Sequence, residues 1–182
     1  MEKIIFNDNN LSINNIDDKV VRARVVIVDS LNNVIISFYN KIYLFPGGKI
    51  DKGEFIEKAA EREVKEETGI ELNLDNQKPF LLVRQFIEHY PSKRLNNTTN
   101  NRLMETYYYL VYVDKINIGE TVLSDSEKND NFEVMKVPIK EIQPLLEKND
   151  TSDLRNEYYT REIEAVITTM KRKIKRFKNS FD

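Results

Sequence analysis

Short apolar runs separated by polar turns make up most of the chain, and many of these runs alternate with the two-residue period of a β-strand. The run from 20 to 29, VVRARVVIVD, is the strongest, and it places Arg22 and Arg24 on one face. Valine, isoleucine and tyrosine, which favour extended backbone, are frequent in the other runs. The pattern predicts strands at 20–29, 34–39, 41–45, 79–90, 104–114 and 132–137.

Three segments have the residue spacing or composition of a helix. The first carries an apolar stripe from Phe55 to Val64 and ends at Gly69, a residue suited to a helix C-terminus. The second is a short helix at 138–147. The third begins after polar capping residues that end at Asp153 and continues as an amphipathic helix of about 25 residues.

Strands outnumber helices, with one helix inserted early and the others late. This order predicts an α/β fold in which a mixed β-sheet packs between helices, an α/β/α sandwich. Residues 19–148 would form the main domain, after an N-terminal strand or extension at 1–18. The helix at 149–182 would pack on that domain or form a homodimer contact. Its basic end, 171–178, would interact with the helix dipole or with RNA or a polyphosphate.

Composition narrows the class of protein. The chain of 182 residues has the length of one domain with a sizeable core, and its net charge of −2 gives no overall attraction to nucleic acid. The absence of cysteine excludes disulfides, zinc–thiolate sites and cysteine nucleophiles. The N-terminus lacks the pattern of a signal peptide, and no apolar stretch is long enough to cross a bilayer. We therefore expect a cytoplasmic protein with no membrane partner.

Residues 48–70, GKIDKGEFIEKAAEREVKEETGI, contain the pattern with the clearest chemistry. Glu63, Glu66 and Glu67 stand at i, i+3 and i+4, so a helix projects the three carboxylates toward one side. Like charges this close repel one another, and a divalent metal ion with hard oxygen ligands would relieve the repulsion. The preceding Gly47-Gly48 allows close approach of the backbone. The competing interpretation is a solvated helix whose basic and acidic side chains pair.

This segment resembles the Nudix box, the signature of the Nudix hydrolases, because every constrained position from Gly48 to Ile70 matches that pattern. The resemblance implies an α/β/α sandwich fold and hydrolysis of a nucleoside diphosphate linked to another moiety. In that reaction water attacks a phosphorus atom, and Mg²⁺, with Mn²⁺ as a substitute, neutralises the pyrophosphate. The partner implied is a nucleotide-type small molecule.

The resemblance also implies roles for individual residues. Glu66 and Glu67 would be metal ligands, joined by Glu63 and the carbonyl of Gly48. Arg62 would be structural and orient carboxylates by forked hydrogen bonds. We expect two further residues to support the site, Glu54 by holding helix and loop together and Gly47 by lying against the substrate.

The general base is open between the Nudix box and a later loop. Within the box the candidate is Glu63. Outside it the first choice is Glu127, in the acidic stretch SDSEKNDNFEV. The other acidic candidates are Glu88, Glu105, Asp130 and Glu133.

Substrate recognition would use cations and aromatic rings. Arg24 and Arg84, with Arg22, would contact phosphates bidentately, and a strand-edge salt bridge is the competing role. His89, at the end of a strand, has the pattern of a surface residue. The tyrosines of one strand would mostly fill the sheet, with one ring free to stack on a base: Tyr107, Tyr108, Tyr109 and Tyr112.

Two other functions remain open from the sequence. One is a catalytically silent nucleotide-binding module with a regulatory role, which the intact glutamates disfavour. The other is an RNA 5′-end pyrophosphohydrolase that uses the basic C-terminal segment. Markers outside the box do not select a substrate within the class.

Overall fold

The computed structural model describes residues 1–91, 99–123 and 131–178, with the side chains of the last helix described up to Ile174. The strands in these residues are Glu2–Phe6 (β1), Asp18–Asp29 (β2), Asn33–Tyr39 (β3), Ile42–Leu44 (β4), Gly47–Lys49 (β5), Leu81–Pro91 (β6), Thr99–Val113 (β7) and Glu133–Pro138 (β8). The α-helices are Ile56–Thr68 (α1), Ile142–Leu146 (α2) and Leu154–Lys178 (α3). Short 3₁₀ turns occur at Ile13–Asn15 and Ile139–Glu141.

The chain forms two compact units, and β2 and β7 each contribute residues to both. The first unit comprises residues 1–25, 46–109 and 117–123. In it β1 pairs with β6 in parallel, whereas β6 pairs with β7 antiparallel, so the sheet is mixed. The first part of β2 pairs antiparallel with β5. The predicted Gly-rich loop therefore contains a strand that the sequence analysis missed.

A β-bulge interrupts the pairing of β6 with β7. The register passes from Ile87 opposite Arg102 to Tyr90 opposite Asn100, so β6 contains one residue more than β7 in this interval. His89 lies in the bulge with a φ of 54° and is exposed. β6 ends one residue later than predicted, at Pro91, and β7 begins five residues earlier, at Thr99. Residues 92–98 lie outside the described residues.

The helix of the motif, α1, is fixed by a small apolar face and a glycine stop. Ala59, Ala60 and Val64 are fully buried on that face. At its end Gly69 adopts the left-handed conformation, with φ 69°, and its N–H donates to the Lys65 carbonyl. The N–H of Gly119 donates to the carbonyl of Thr68, so an extended segment continues directly against the helix end.

The second unit comprises residues 26–45, 110–116 and the described part of 124–182. In it β3 pairs antiparallel with both β4 and β8. The long helix α3 begins as predicted, because a side-chain oxygen of Asp153 accepts the N–H of Arg155 at 2.7 Å. Asn156 is buried and donates to the carbonyls of Asn40 and Asp150. The buried apolar stripe of α3 consists of Ile163, Val166, Ile167, Met170 and Ile174.

The predicted fold class, α/β with a mixed sheet and a long C-terminal helix, is confirmed. The short helix predicted at 138–147 is divided into a 3₁₀ turn and α2. Among the described residues, no helix combines the length and apolar character that crossing a membrane requires.

Two glycines with positive φ test how far the stop of α1 depends on close packing. At Gly69 a Cβ atom would lie 2.6 Å from the Glu120 carbonyl oxygen and 2.7 Å from the Gly119 Cα. At Gly53, with φ 83°, a Cβ atom would meet nothing within 4 Å. We expect Gly53→Ala to lower the free energy of unfolding by about 1 kcal/mol through φ strain alone. Gly69→Ala should cost about 2–4 kcal/mol because backbone overlap is added.

Urea unfolding of the two variants measures the difference. Equal losses of unfolding free energy would show that the segment around Gly119 does not constrain the helix end.

Candidate active site

Gly47 is held from two sides where β5 meets β2. Its N–H donates to Oε2 of Glu67 at 3.2 Å, and its carbonyl accepts Nη1 of Arg24 at 2.9 Å. Arg24 is 6% exposed and Glu67 is 6% exposed, so both charged groups act in a largely desolvated place. Gly47 has φ 133°, and a Cβ atom there would lie 2.6 Å from the Arg24 Cα. Only glycine therefore satisfies both the conformation and the close approach.

Gly48 supports a different contact. The carboxylate of Glu63 lies directly against its Cα, and a Cβ atom at this position would come within 3.0 Å of all three carboxylate atoms. Gly48 is opposite Ala23 of β2, so the strand pairing fixes its place. The missing side chain leaves the space that the Glu63 carboxylate occupies.

Arg62 joins the acidic residues of the motif through a single guanidinium group. Nε and Nη2 donate to the two carboxylate oxygens of Glu54 at 2.9 and 3.0 Å, which is a bidentate pair. Nη1 donates to Glu63 at 2.9 Å and to Glu66 at 3.2 Å. Nη2 also donates to the carbonyl of Lys49 at 3.3 Å. Arg62 thus connects α1 with β5 and with the turn before the helix.

The pKa values of two of these carboxyl groups shift in opposite directions. The hydrogen bonds from Arg62 hold the pKa of Glu54 below its ordinary value, against a smaller opposing effect of burial. Burial raises the pKa of Glu63, and the hydrogen bond and charge of Arg62 offset only part of this rise. The side chain of Glu66 is 44% exposed, compared with 15% for that of Glu63. Glu66 is therefore the residue with the most freedom to change its contacts.

The chemistry of the donors fits a divalent cation. Glu63 and Glu66 already share one positive group, Nη1 of Arg62. Glu67, on the same helix, accepts the N–H of Gly47 in β5. Carboxylate and carbonyl oxygens are the hard donors that Mg²⁺ and Mn²⁺ take. In the arrangement described, however, no three acidic or histidine side chains of the described residues are grouped to hold an ion. The positive group on which Glu63 and Glu66 converge in this arrangement is Nη1 of Arg62.

Arg84, which was also predicted to contact phosphate, forms a salt bridge instead, the competing role given above. Its Nε donates to Oε1 of Glu105 at 2.6 Å, and Lys19 pairs with the other oxygen of Glu105 at 2.7 Å. Burial alone would raise the pKa of Glu105, but the hydrogen bond and charge of Lys19, with the charge of Arg84, lower it. Both oxygens of this candidate base are therefore engaged by cations. The ion pair of Lys19 with Glu105 was not predicted, because the sequence around Lys19 contains no signal that identifies its partner.

Of the remaining acidic candidates, two lie among the described residues. Glu88 is half-buried and accepts a hydrogen bond from Asn9 at 2.8 Å, and Glu133 is exposed in the second unit. Glu127 and Asp130 lie outside the described residues. His89 is exposed, as the sequence indicated.

Two of the four strand tyrosines fill the core, and Tyr107 is half-buried. Tyr108 and Tyr109 are buried, and burial, with the charges of Glu57 and Glu61, raises the pKa of Tyr109 to about 12. These glutamates lie on α1, so β7 is close to the helix of the motif. Tyr112 is 44% exposed, which makes it the most accessible ring of the group.

Comparison with known proteins identifies the class. A model described as the NUDIX domain matches residues 20–158, and the chain therefore belongs to the Nudix family. This membership makes it an enzyme of the Nudix pyrophosphohydrolase type. A comparison with curated proteins finds no match to the chain.

Comparison with solved structures finds similar chains of low identity. One is a bifunctional NMN adenylyltransferase/ADP ribose pyrophosphatase of Francisella tularensis, complexed with AMP and a Mn ion. It is 14% identical over 83% of this chain and 42% of that chain, with a TM-score of 0.51. The MutT protein of Methanosarcina mazei Go1 is 14% identical over 81% and 94%, with a TM-score of 0.49. The MutT NUDIX hydrolase of Burkholderia pseudomallei is 20% identical over 67% and 84%, with a TM-score of 0.45.

Gly48→Ala tests the contact between β5 and the Glu63 carboxylate. The three atoms nearest to the new methyl group would be those of the flexible Glu63 carboxylate, so we expect the fold to be retained. Mn²⁺ affinity, measured by calorimetry, should fall about tenfold or more because a ligand is misplaced. Gly53→Ala is the control, since its methyl group meets nothing within 4 Å. Unchanged Mn²⁺ affinity in Gly48→Ala would contradict the assignment of Glu63.

Glu54→Gln tests the bidentate pair with Arg62 through its pH dependence. The pKa of Glu54 is lowered in the folded state, so its stabilisation is present above the ordinary value of 4.5 and is lost as the pH falls through the folded pKa. At pH 7 we expect the variant to lose about 1 kcal/mol, after allowance for solvent screening. The difference from the wild type should vanish in acid.

Unfolding by urea at several pH values measures this difference. Glu71→Gln serves as a control because its ion pair with Lys65 is on the surface, with 77% of the Glu71 side chain exposed. A Glu54→Gln deficit that stays constant into acid would assign the loss to packing and not to charge.

Proposed function

We propose that this protein is a Mg²⁺-dependent hydrolase, with Mn²⁺ as a substitute, that cleaves a pyrophosphate bond in a nucleoside diphosphate linked to another moiety. The observation that carries the proposal is the convergence of Glu63 and Glu66 on one positive group, Nη1 of Arg62. The Glu63 carboxylate lies against Gly48 at this point. Glu67 lies on the same helix and accepts the Gly47 N–H.

Glu63, Glu66, Glu67 and the carbonyl of Gly48 would hold the ion. When bound, it would neutralise the pyrophosphate oxygens and lower the pKa of the attacking water. The carboxylate positions support this assignment in different ways. Glu67 is fixed by a backbone amide and Glu63 by burial against Gly48, whereas Glu66 is exposed enough to move.

The remaining residues would position these groups. Arg62, fixed by its bidentate pair with Glu54, holds the carboxylate face of α1 in place against Lys49 of β5. Arg24 holds the Gly47 carbonyl, and Gly47 would lie against the substrate. The raised pKa of Glu63 suits a group that accepts a proton from water, so Glu63 is the general-base candidate within the described residues. Glu127 is the alternative base, on the resemblance alone.

A comparison with a known protein supports the substrate class. The Francisella tularensis protein that shares the fold is described as an ADP ribose pyrophosphatase, complexed with AMP and a Mn ion. ADP-ribose is a nucleoside diphosphate linked to a second sugar. We therefore propose nucleotide-type substrates for this chain and place ADP-ribose in the first group to be tested.

Glu67→Gln tests the proposed chemistry. The variant keeps the acceptor for the Gly47 N–H but removes the charge, so the fold should be retained while kcat falls roughly 10²-fold or more. Turnover should be measured with Mg²⁺ and with Mn²⁺ on ADP-ribose, dinucleotide polyphosphates, nucleotide sugars, nucleoside triphosphates and 5′-triphosphate RNA. Products formed in ¹⁸O-water identify the phosphorus atom attacked.

The matched control is Glu71→Gln, which removes a charge from an exposed ion pair close to the end of α1. It should retain wild-type turnover. Equal activity and metal dependence in Glu67→Gln and wild type would overturn the proposed role of Glu67. Metal binding without turnover on any substrate would instead favour a silent binding module.

A further inference from the structure

One face of β7 carries buried polar atoms that have no hydrogen-bond partner. Asn100 is 6% exposed and Thr106 is 1% exposed. In the part of the chain that the structure describes, Nδ2 and Oδ1 of Asn100, Oγ1 of Thr106 and Nε of Arg102 all lack a partner. The three residues are an even number of positions apart on one strand, so their side chains leave the same side of the sheet.

The guanidinium of Arg102 has a defined place at this end of β7. It lies over the ring of Tyr90, with 4.0 Å between Arg102 Cζ and the ring centroid, and it pairs with Asp18. Tyr90 is the cross-strand neighbour of Asn100, because the bulge in β6 shifts the register by one residue. The bulge therefore brings an aromatic ring, a fixed cation and an unpaired amide together.

This face is continuous with the candidate active site. Met104 lies between Arg102 and Thr106 on the same side of β7, and Nη1 of Arg22 contacts its sulfur atom at 3.4 Å. Arg22 and Arg24 leave one side of β2, and Arg24 donates to the Gly47 carbonyl at 2.9 Å. A path of side chains thus leads from the glycine strand β5 across β2 to the unpaired atoms of β7.

A buried amide with neither its donor nor its acceptor paired destabilises a folded protein, and a core residue would gain by being apolar. The cost of an unpaired buried amide is removed in a complex whose ligand supplies both missing hydrogen bonds. An Asn amide matches an edge that offers an acceptor and a donor side by side, as N7 and N6 of adenine do. An ionised phosphate offers only acceptors and would leave the amide oxygen without a donor.

We propose that Asn100 is a specificity-determining residue that recognises the edge of the substrate's nucleobase, adenine first among the bases, with Arg102 and Thr106 on the same face. This inference rests on the proposed function in taking the ligand to be a nucleotide. Beyond the proposed function, it assigns recognition of the nucleobase to β7. Thr106 contributes its hydroxyl group deeper along the same face.

Binding of metal-free nucleoside monophosphates tests the proposal. The probes are AMP, GMP, CMP and UMP, with ribose 5-phosphate as the base-free reference, and calorimetry gives each affinity. The wild type should bind AMP more tightly than ribose 5-phosphate and the other monophosphates. Asn100→Leu should lose about tenfold or more of that preference, because one bidentate base contact is removed. Its affinity for ribose 5-phosphate should not change.

The melting temperature of the ligand-free protein is the second readout. Asn100→Leu and Thr106→Val replace unpaired polar atoms with apolar groups of similar shape, so both variants should melt at or above the wild-type temperature. Thr99→Val is the control on the opposite, exposed side of β7 and should change neither readout. If Asn100→Leu does not fold, Asn100→Ser, which is too short to make both bonds, should show the same loss of preference.

The outcomes separate this inference from the proposed function. An unchanged base preference in the Asn100 variants, or no base preference in the wild type, overturns the inference even if the wild type hydrolyses pyrophosphates. A fall in melting temperature in both Asn100→Leu and Thr106→Val also overturns it, because water would then be the partner of these atoms. If the wild type prefers AMP and the Asn100 variants lose that preference, but the wild type hydrolyses no pyrophosphate, the proposed function is overturned and the inference stands.

Discussion

The arrangement of the site depends on one guanidinium group shared among carboxylates. Glu63 and Glu66 would repel one another at the spacing that α1 imposes, and Glu54, in the turn before the helix, adds a third negative charge. Arg62 contacts all three at 2.9–3.2 Å. Its planar fork allows two bonds to Glu54 while Nη1 remains available for the other pair. A lysine at this position would provide a point charge but not this division of contacts. The acidic face can therefore form before any metal ion binds.

The glycines of β5 meet a second requirement, which is close contact between backbone and carboxylates at a buried position. Gly47 accepts strain at φ 133° and Gly48 leaves space for Glu63. A buried charge is costly unless it is paired or hydrogen-bonded, and Gly47 supplies one hydrogen bond to each of the two buried charged groups. Arg24 bonds the Gly47 carbonyl, and Glu67 accepts the Gly47 N–H. The same short strand thus serves as a structural support for two ionised side chains.

The sequence predicted the parts of this site that depend on local spacing. The helical positions of Glu63, Glu66 and Glu67 and the stop at Gly69 follow from a period and from backbone chemistry, and α1 has both. The strand β5 was not predictable, because two glycines have low strand propensity and their pairing is imposed by β2. Long-range partners were also beyond local pattern. Neither Lys19 with Glu105 nor the bulge that sets Tyr90 beside Asn100 has a signal within its own segment.

The apolar core and the polar face of β7 contribute to the free energy of folding with opposite signs. Each buried polar atom without a partner costs about 1–3 kcal/mol, a large share of the roughly 5–15 kcal/mol that stabilises a typical domain. Fully buried side chains such as Ala59, Ala60 and Val64 offset such costs. A protein under selection for stability alone would place valine or leucine where Asn100 and Thr106 stand. Their retention at buried positions on a strand that reaches the active-site path is therefore better explained by binding than by folding.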